Sequence, residues 1–518
     1  MSNLSTSSAL EDERNFDAEL EYTYNFFPFL KADSLMLATL LQGVRPSSDI
    51  IAANGAPGPL AYCELGCGQG LTLNILAAGD ETGRYFGIDY NAAQIKNASS
   101  MARDAGLSNV EFIEESFASL HARDLPDFDI IVLHGIYSWI APNLRQDIVD
   151  FLKCKLKPGG LCFVSYNCTI GRGADLAFRQ LLQTALRRED NPSPDAVSKS
   201  LAVAQAFAEK GARYFTQNAS TVDRLKEART RNPVYVFHEY FNPVWTPFFF
   251  HEVATEMSGA ELSYVGSTSM AWNHADLSVP SNLRSVFDGF HSSADQELLK
   301  GIWANQSFRR DIYVKGIANP VSLDEQAAIL KSLHFGLARP RASCPLKVAV
   351  PAGVANLPDK PFTALLDALE KSSVSGAELR QHLPGGDIGD RDFVRALIIL
   401  LGAEYMELRT PPDRLAKVRQ RFDRLNAAVG RSTDRSQDVF VAATAKNGNA
   451  IKMSPVSYYL YRAHQTGPEN RVSKAYRLLK ESGRSVYHKG QPVKDRKMAE
   501  TVIAEQEPRF ITNILPRL

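Results

Sequence analysis

Glu64-Leu65-Gly66-Cys67-Gly68-Gln69-Gly70 places three glycines between a short apolar run and the stretch that opens at Leu71. Glycines there let the backbone turn sharply and let a ligand lie against the main chain, while amide groups face its polar end. A dinucleotide fingerprint would need its third glycine at position 71, where this chain has Leu71, so the nicotinamide reading weakens. Asp89, in Phe86-Gly87-Ile88-Asp89-Tyr90, follows at the spacing of an acid that accepts both hydroxyls of a ribose. Its carboxylate can accept two hydrogen bonds at once, which a neutral side chain does less well.

With glycine at 66, 68 and 70 and an acid at 64, the segment resembles the first motif of class I S-adenosylmethionine-dependent methyltransferases. The resemblance implies S-adenosyl-L-methionine as cofactor and Glu64, Gly66, Cys67, Gly68, Gly70, Asp89, Tyr90, Gln94 and His134 as its contacts. At the end of the third strand such proteins place an acid that meets the adenine amine. The corresponding segment is Glu114-Glu115-Ser116-Phe117, with Ser116 in the acid's place. Glu115, the Ser116 hydroxyl or a backbone group remains open for that contact, and Phe117 could stack on the ring or fill the core.

Residues after the fourth and fifth strands should face the methyl group, because open α/β sheets bind ligands outside the carboxyl ends of their strands. These are His134-Gly135-Ile136-Tyr137-Ser138-Trp139 and Ser165-Tyr166-Asn167-Cys168. Methyl transfer requires in-line approach, so the protein mainly positions and desolvates the nucleophile. An apolar aromatic channel lowers an amine's pKa, and ring faces tolerate the cationic product. His134, Tyr137 and Trp139 are therefore candidate walls, with Tyr166 or Asn167 orienting the amine. Core packing competes as a reading for His134, Trp139 and Tyr166.

Those two segments, with Phe237-His238-Glu239-Tyr240, are similar to the rickettsial-type protein-lysine methyltransferases. The resemblance implies a methyltransferase regulatory domain over about 234–315, and a lid in Tyr22-Thr23-Tyr24-Asn25-Phe26-Phe27-Pro28-Phe29 that closes over the cofactor. It also implies a protein substrate, with a small molecule, glycan or lipid precursor as the alternative acceptor.

Positioning these residues requires parallel strands joined by crossover helices, and short apolar runs alternate with amphipathic ones accordingly. The strands are expected at Ala61–Leu65, Arg84–Asp89, Val110–Glu114, Phe128–His134 and Leu161–Tyr166, with helices over Leu71–Ala78, Ala92–Ala105 and Leu144–Leu156. Lys157-Pro158-Gly159-Gly160 reads as a helix stop and turn. The polar stretch from Asp175 to Arg231 reads as a helical insertion, and Glu261–Gly266 with Arg310–Lys315 as strands that complete the sheet. The fold class is α/β: a Rossmann-like class I methyltransferase sheet with helical insertions, plus a mostly α C-terminal domain. The expected division is an N-terminal segment and lid over 1–45, a core over 46–233, a regulatory-type region over 234–319 and the C-terminal domain over 320–518. Within the last, 361–408 could form a winged-helix-like unit.

The chain has 518 residues, 44% hydrophobic, enough for two or three domains. Lysine plus arginine balances aspartate plus glutamate at 58 each, so no global charge draws it to nucleic acid or an acidic membrane. The basic stretches 409–435 and 484–497 keep a cofactor-sensing, nucleic-acid or partner-binding protein as a weaker alternative of another class. The six cysteines show no C-x-x-C spacing, His238, His251 and His274 lack metal-ligand spacing, and no apolar run is long enough to span a bilayer. A cytoplasmic protein, a possible homodimer without a metal, is the expectation.

Overall fold

A computed structural model describes residues 24–46, 59–188, 196–231, 233–370, 373–383, 386–434, 439–488 and 490–518. Tyr22 and Thr23 of the lid segment, the polar first fourteen residues and most of the loop 46–59 lie outside the described residues. The central sheet has seven strands in the order β3-β2-β1-β4-β5-β7-β6. The strands are β1 (Ala61–Leu65), β2 (Arg84–Asp89), β3 (Val110–Glu114), β4 (Phe128–Leu133), β5 (Leu156–Asn167), β6 (Leu262–Ser267) and β7 (Phe308–Lys315). β1 to β5 run parallel, and β7 pairs antiparallel with both β5 and β6. Every residue of β4 is buried, as expected of a parallel strand covered on both faces.

The order turns back on itself between β1 and β4, which opens a crevice at their carboxyl ends. β2 leads into the helix Ala92–Asp104, whose N-cap Asn91 accepts a hydrogen bond from the Gln94 amide at 3.1 Å. That cap satisfies one of the helix's orphan donors and fixes the position of Gln94 in its first turn. One element differs from the sequence reading: Lys157 to Gly160 do not end a helix in a turn but belong to β5. Phe128 pairs with Leu156 and Ile130 with Leu161, so the additional residues are accommodated as a bulge, with Gly159 at φ +73°.

The insertion forms helices Asp175–Leu186, Val197–Glu209 and Ala219–Ala228, which share a core with Pro233–Phe241 built on Phe178, Leu182, Phe215 and Leu225. Beyond residue 320 the chain is mainly helical, with small sheets. In one, His334–Leu337 lies between Val374–Ser375 and Met406–Leu408, flanked by helices Asp359–Leu369, Gly376–Arg380 and Gly386–Gly402. The Pro340–Pro361 break contains a hairpin, Lys347–Val350 with Gly353–Asn356, that the sequence did not announce. Helix Leu415–Asp434 rests on helices Leu71–Gly79 and Ala92–Asp104, and a single apolar core runs from Leu71, Leu73 and Leu76 to Phe422 and Leu425. Arg421 donates to the Ala77 and Ala78 carbonyls at 2.7 and 2.9 Å, which occupies orphan acceptors at that helix's C-terminus. All six cysteines are free. No described helix is long and apolar enough to cross a membrane.

Candidate functional site

A cleft of about 500 Å³ opens at the carboxyl edge of the sheet and is lined by Glu64, Gly66, Cys67, Gly68, Gly70, Asp89, Tyr90, Gln94, His134, Trp139 and Asn167. The loop from β1 to the helix Leu71–Gly79 is the floor. Gly66, Gly68 and Gly70 all adopt left-handed backbone, and a Cβ at Gly70 would lie 2.5 Å from Ala98 Cβ and 2.6 Å from the Phe112 ring. Glycine is thus demanded there both by conformation and by packing.

Four amides of this loop are engaged within the protein rather than left for a ligand as the sequence suggested. Gly66 and Cys67 donate to the Ile88 carbonyl, Gly70 to the Cys67 carbonyl, and Gly68 to Asp89 Oδ2 at 2.9 Å. They tie the loop to β2 instead. Asp89 Oδ1 also accepts from the Asn91 amide at 3.0 Å, so each carboxylate oxygen is oriented by the backbone. Glu64, under the loop, is buried with Oε2 unpartnered among the described residues. Burial, helped by the nearby Asp89 charge, pushes its pKa up to about 8.

Glu115, Ser116 and Phe117 do not line the cleft. The Glu115 carboxylate is engaged by Ser119 Oγ at 2.6 Å and Arg123 at 2.5 Å, and the Ser116 hydroxyl accepts from the Ala118 amide as a helix cap. Phe117 packs against the apolar core.

The acceptor-side candidates divide in the same way. His134 and Trp139 reach the cleft, and Asn167 reaches it from the end of β5, where its amide donates to Ser138 Oγ at 2.9 Å and its carbonyl accepts from Phe248. Tyr137 and Tyr166 do not. The Tyr137 hydroxyl donates to the Glu256 carboxylate, which also pairs with Arg145 at 3.2 Å. Tyr166 donates to Asp311 at 2.7 Å, inside a buried network with Arg309 and Glu297. Both hydroxyls are bound to carboxylates that lie outside the cleft lining.

The sequence reading missed Gln69, Thr72, Ile136, Arg231, Tyr235, Asn242 and Phe308 as lining residues. It quoted His238 and Glu239 in a motif without placing them in the site, yet both line it. The helix Pro233–Phe241 delivers Tyr235, His238 and Glu239, and the insertion holds it in place: Arg172 pairs with Glu239 and with Asp175, and Arg179 donates to the Glu239 carbonyl at 2.9 Å. Arg179 also lies 5.8 Å from the Trp139 ring and 5.4 Å from that of Trp245. Helical periodicity in Pro233–Phe241 was the available signal, but its orientation depends on this network. From the lid segment, Asn25 and Phe27 line the cleft, and the Phe27 ring meets His134 edge-on at 4.0 Å. Among the described residues no cluster could hold a metal ion.

Residues 59–217 match the family model described as a methyltransferase domain, and residues 232–315 the one described as a predicted methyltransferase regulatory domain. Uncharacterized protein sll1526 of Synechocystis sp. is 31% identical over 477 residues, which span 91% of this chain and 92% of that protein. Uncharacterized protein RP028 of Rickettsia prowazekii is 27% identical over 190 residues, 36% of this chain and 75% of its own length. The structure of PKMT2 from Rickettsia typhi in complex with AdoHcy shares the fold, with a TM-score of 0.66 over 95% of this chain and 98% of that one at 19% identity.

The chain belongs to the class I S-adenosylmethionine-dependent methyltransferases that carry a regulatory domain.

The cleft of this methyltransferase fits the cofactor, S-adenosylmethionine, on its own residues. Asp89 would hold the ribose hydroxyls with its carboxylate, and the unpartnered Glu64 oxygen would receive a donor or a positive charge. Tyr90 and Gln94 flank the nucleoside end. β6 and β7, from the regulatory domain, extend the methyltransferase sheet directly, and Phe308 of β7 lines the same cleft.

Proposed function

We propose that this methyltransferase modifies the side-chain amine of a lysine in a protein. The observation that carries the reading is the aromatic lining that Trp139 and Tyr235 bring to the same cleft as Asn167. When bound, S-adenosylmethionine supplies a methyl group activated on a sulfonium. The aromatic walls favour the neutral, nucleophilic form of a lysine amine while tolerating a cationic product. Asn167, which lines the cleft, orients the amine by a hydrogen bond in this reading. Burial, with a contribution from Arg310, pushes the His134 pKa down to about 3, so this imidazole is too weak a base to take the amine's proton. His134 acts instead as a neutral wall, with Nδ1 fixed by Ser165 Oγ at 2.8 Å. The proton leaves to solvent before attack.

Support also comes from likeness in fold to PKMT2 from Rickettsia typhi. The test is incubation of the purified chain with isotopically labelled S-adenosylmethionine and a cell lysate, followed by mass spectrometry of the protein and small-molecule fractions. Label on lysine side chains is expected. Label confined to small molecules would overturn the reading.

A further inference from the structure

We propose that Arg310, with Ser267, Ser269 and Gln306, forms a subsite for a carboxylate of the acceptor, an acidic side chain lying near the target lysine. These residues line a second cavity of about 460 Å³ that shares Phe27, His134 and Phe308 with the cofactor cleft. The two spaces are therefore separated by one layer of rings.

The placement follows from β7. In its antiparallel register with β5, Phe308 lies opposite Asn167 and Arg310 opposite Ser165, the residue that fixes His134. Alternation along the strand puts Phe308 and Arg310 on one face, while Arg309 between them joins the buried carboxylates Asp311 and Glu297. Two adjacent arginines thus have opposite fates. Arg309 is fully paired, whereas Arg310 has no carboxylate at ion-pairing distance among the described residues. Its guanidinium donates to Ser269 Oγ at 2.7 Å and lies 4.6 Å from the Phe29 ring.

A half-buried guanidinium held by one hydroxyl and an aromatic face retains free donors in a partly desolvated site, and such charges are ordinarily paired. The planar fork matches a carboxylate in two-point contact, and the Ser269 hydroxyl and the Gln306 amide can add donors around it. One charge also favours carboxylate over phosphate. Among the described lining residues Arg310 is the one cation, because His134 stays neutral, and a dianion would be left half compensated. The cavity is large enough to admit a side chain rather than an ion alone.

The assignment of this carboxylate to a protein acceptor rests on the lysine reading, but its test reads binding without turnover, so either can fail alone. Glutarate, which carries the carboxylate of a glutamate side chain, is titrated by calorimetry into the full chain saturated with S-adenosylhomocysteine. Inorganic phosphate is titrated in parallel. Millimolar glutarate is expected to bind, Arg310→Gln to weaken it about tenfold or more, and Arg310→Lys, which keeps charge but not the fork, to lie between. S-adenosylhomocysteine affinity should stay within about twofold in both variants. A cooperative melt certifies that each variant is folded. Absent glutarate binding, binding indifferent to Arg310, or preference for phosphate would overturn the proposal. Loss of S-adenosylhomocysteine affinity in a folded variant would do so too, by giving Arg310 to the cofactor's own carboxylate.

Discussion

Asp89 and Glu64 sit side by side beneath the glycine loop, and their environments push them toward different tasks. Asp89 is oriented by two backbone amides and lines the cleft, so Asp89→Ala should remove charge-assisted hydrogen bonds to the ribose worth about 1.5 to 3 kcal/mol each. Calorimetry with S-adenosylhomocysteine checks this, and unchanged affinity would misplace the ribose. Glu64 has a pKa raised from its ordinary 4.5 to about 8. The sign follows from the raised value: its contribution to the stability of the cofactor-free protein is present below pH 4.5 and is lost as pH rises through about 8, at up to ~1.4 kcal/mol per unit. A ligand that brings a positive charge to Oε2 favours the ionised form, so binding at pH 7 should release protons and tighten as pH rises toward 8. Titrations in buffers of different ionisation enthalpy measure the release. Glu64→Gln should abolish this component, and a variant indistinguishable from wild type would show that Glu64 does not titrate on binding.

At the scale of elements, the loop after β4 does two jobs with neighbouring residues. His134 and Trp139 face the cleft, while Tyr137 anchors the loop to helix Phe250–Ser258 through Glu256. Tyr137→Phe leaves Glu256 paired with Arg145 and should cost stability by about 1 to 3 kcal/mol, read in denaturant unfolding. Per folded molecule, turnover at saturating substrate should change little. A large drop in turnover without loss of stability would return Tyr137 to the chemistry. The insertion has a comparable function: its arginines brace helix Pro233–Phe241, which carries Tyr235 and Glu239 into the site.

Across the whole molecule, the C-terminal part shares its core with the methyltransferase sheet. Leu71, Leu73 and Leu76 belong to one apolar cluster with Phe422 and Leu425, and the helix that carries the glycine loop is capped by Arg421 from the other end of the chain. Removing residues 320–518 would expose that surface, which carries roughly 25 cal/mol per Å² of apolar area. A chain ended at residue 319 is therefore expected to aggregate or to bind a hydrophobic dye strongly. A soluble fragment with full S-adenosylhomocysteine affinity would show that the shared core is dispensable. In the intact chain, Arg421→Ala should lower the melting temperature even though the residue lies far from the cleft.

Local signals sufficed for β1, β2 and β3, whose bounds match the sequence reading: β1 and β2 are short, mostly buried runs, β3 is a half-exposed edge strand in which charged and apolar residues mix, and glycines mark the loop that follows β1. They sufficed as well for Asp89, whose position is fixed a short chain distance from that loop. They failed where several residues of suitable chemistry stood together. Tyr137, Tyr166 and Glu115 had the right types for the site, but Glu256, Asp311 and Arg123 took their polar atoms elsewhere. They also failed for Tyr235, Asn242, Phe308 and the cavity at Arg310, which depend on elements distant in the chain meeting across a strand register or an ion-pair network. Periodicity reports which residues share a face of one element. Which partner captures a polar side chain, and which elements close around a cleft, is decided only when the whole chain packs.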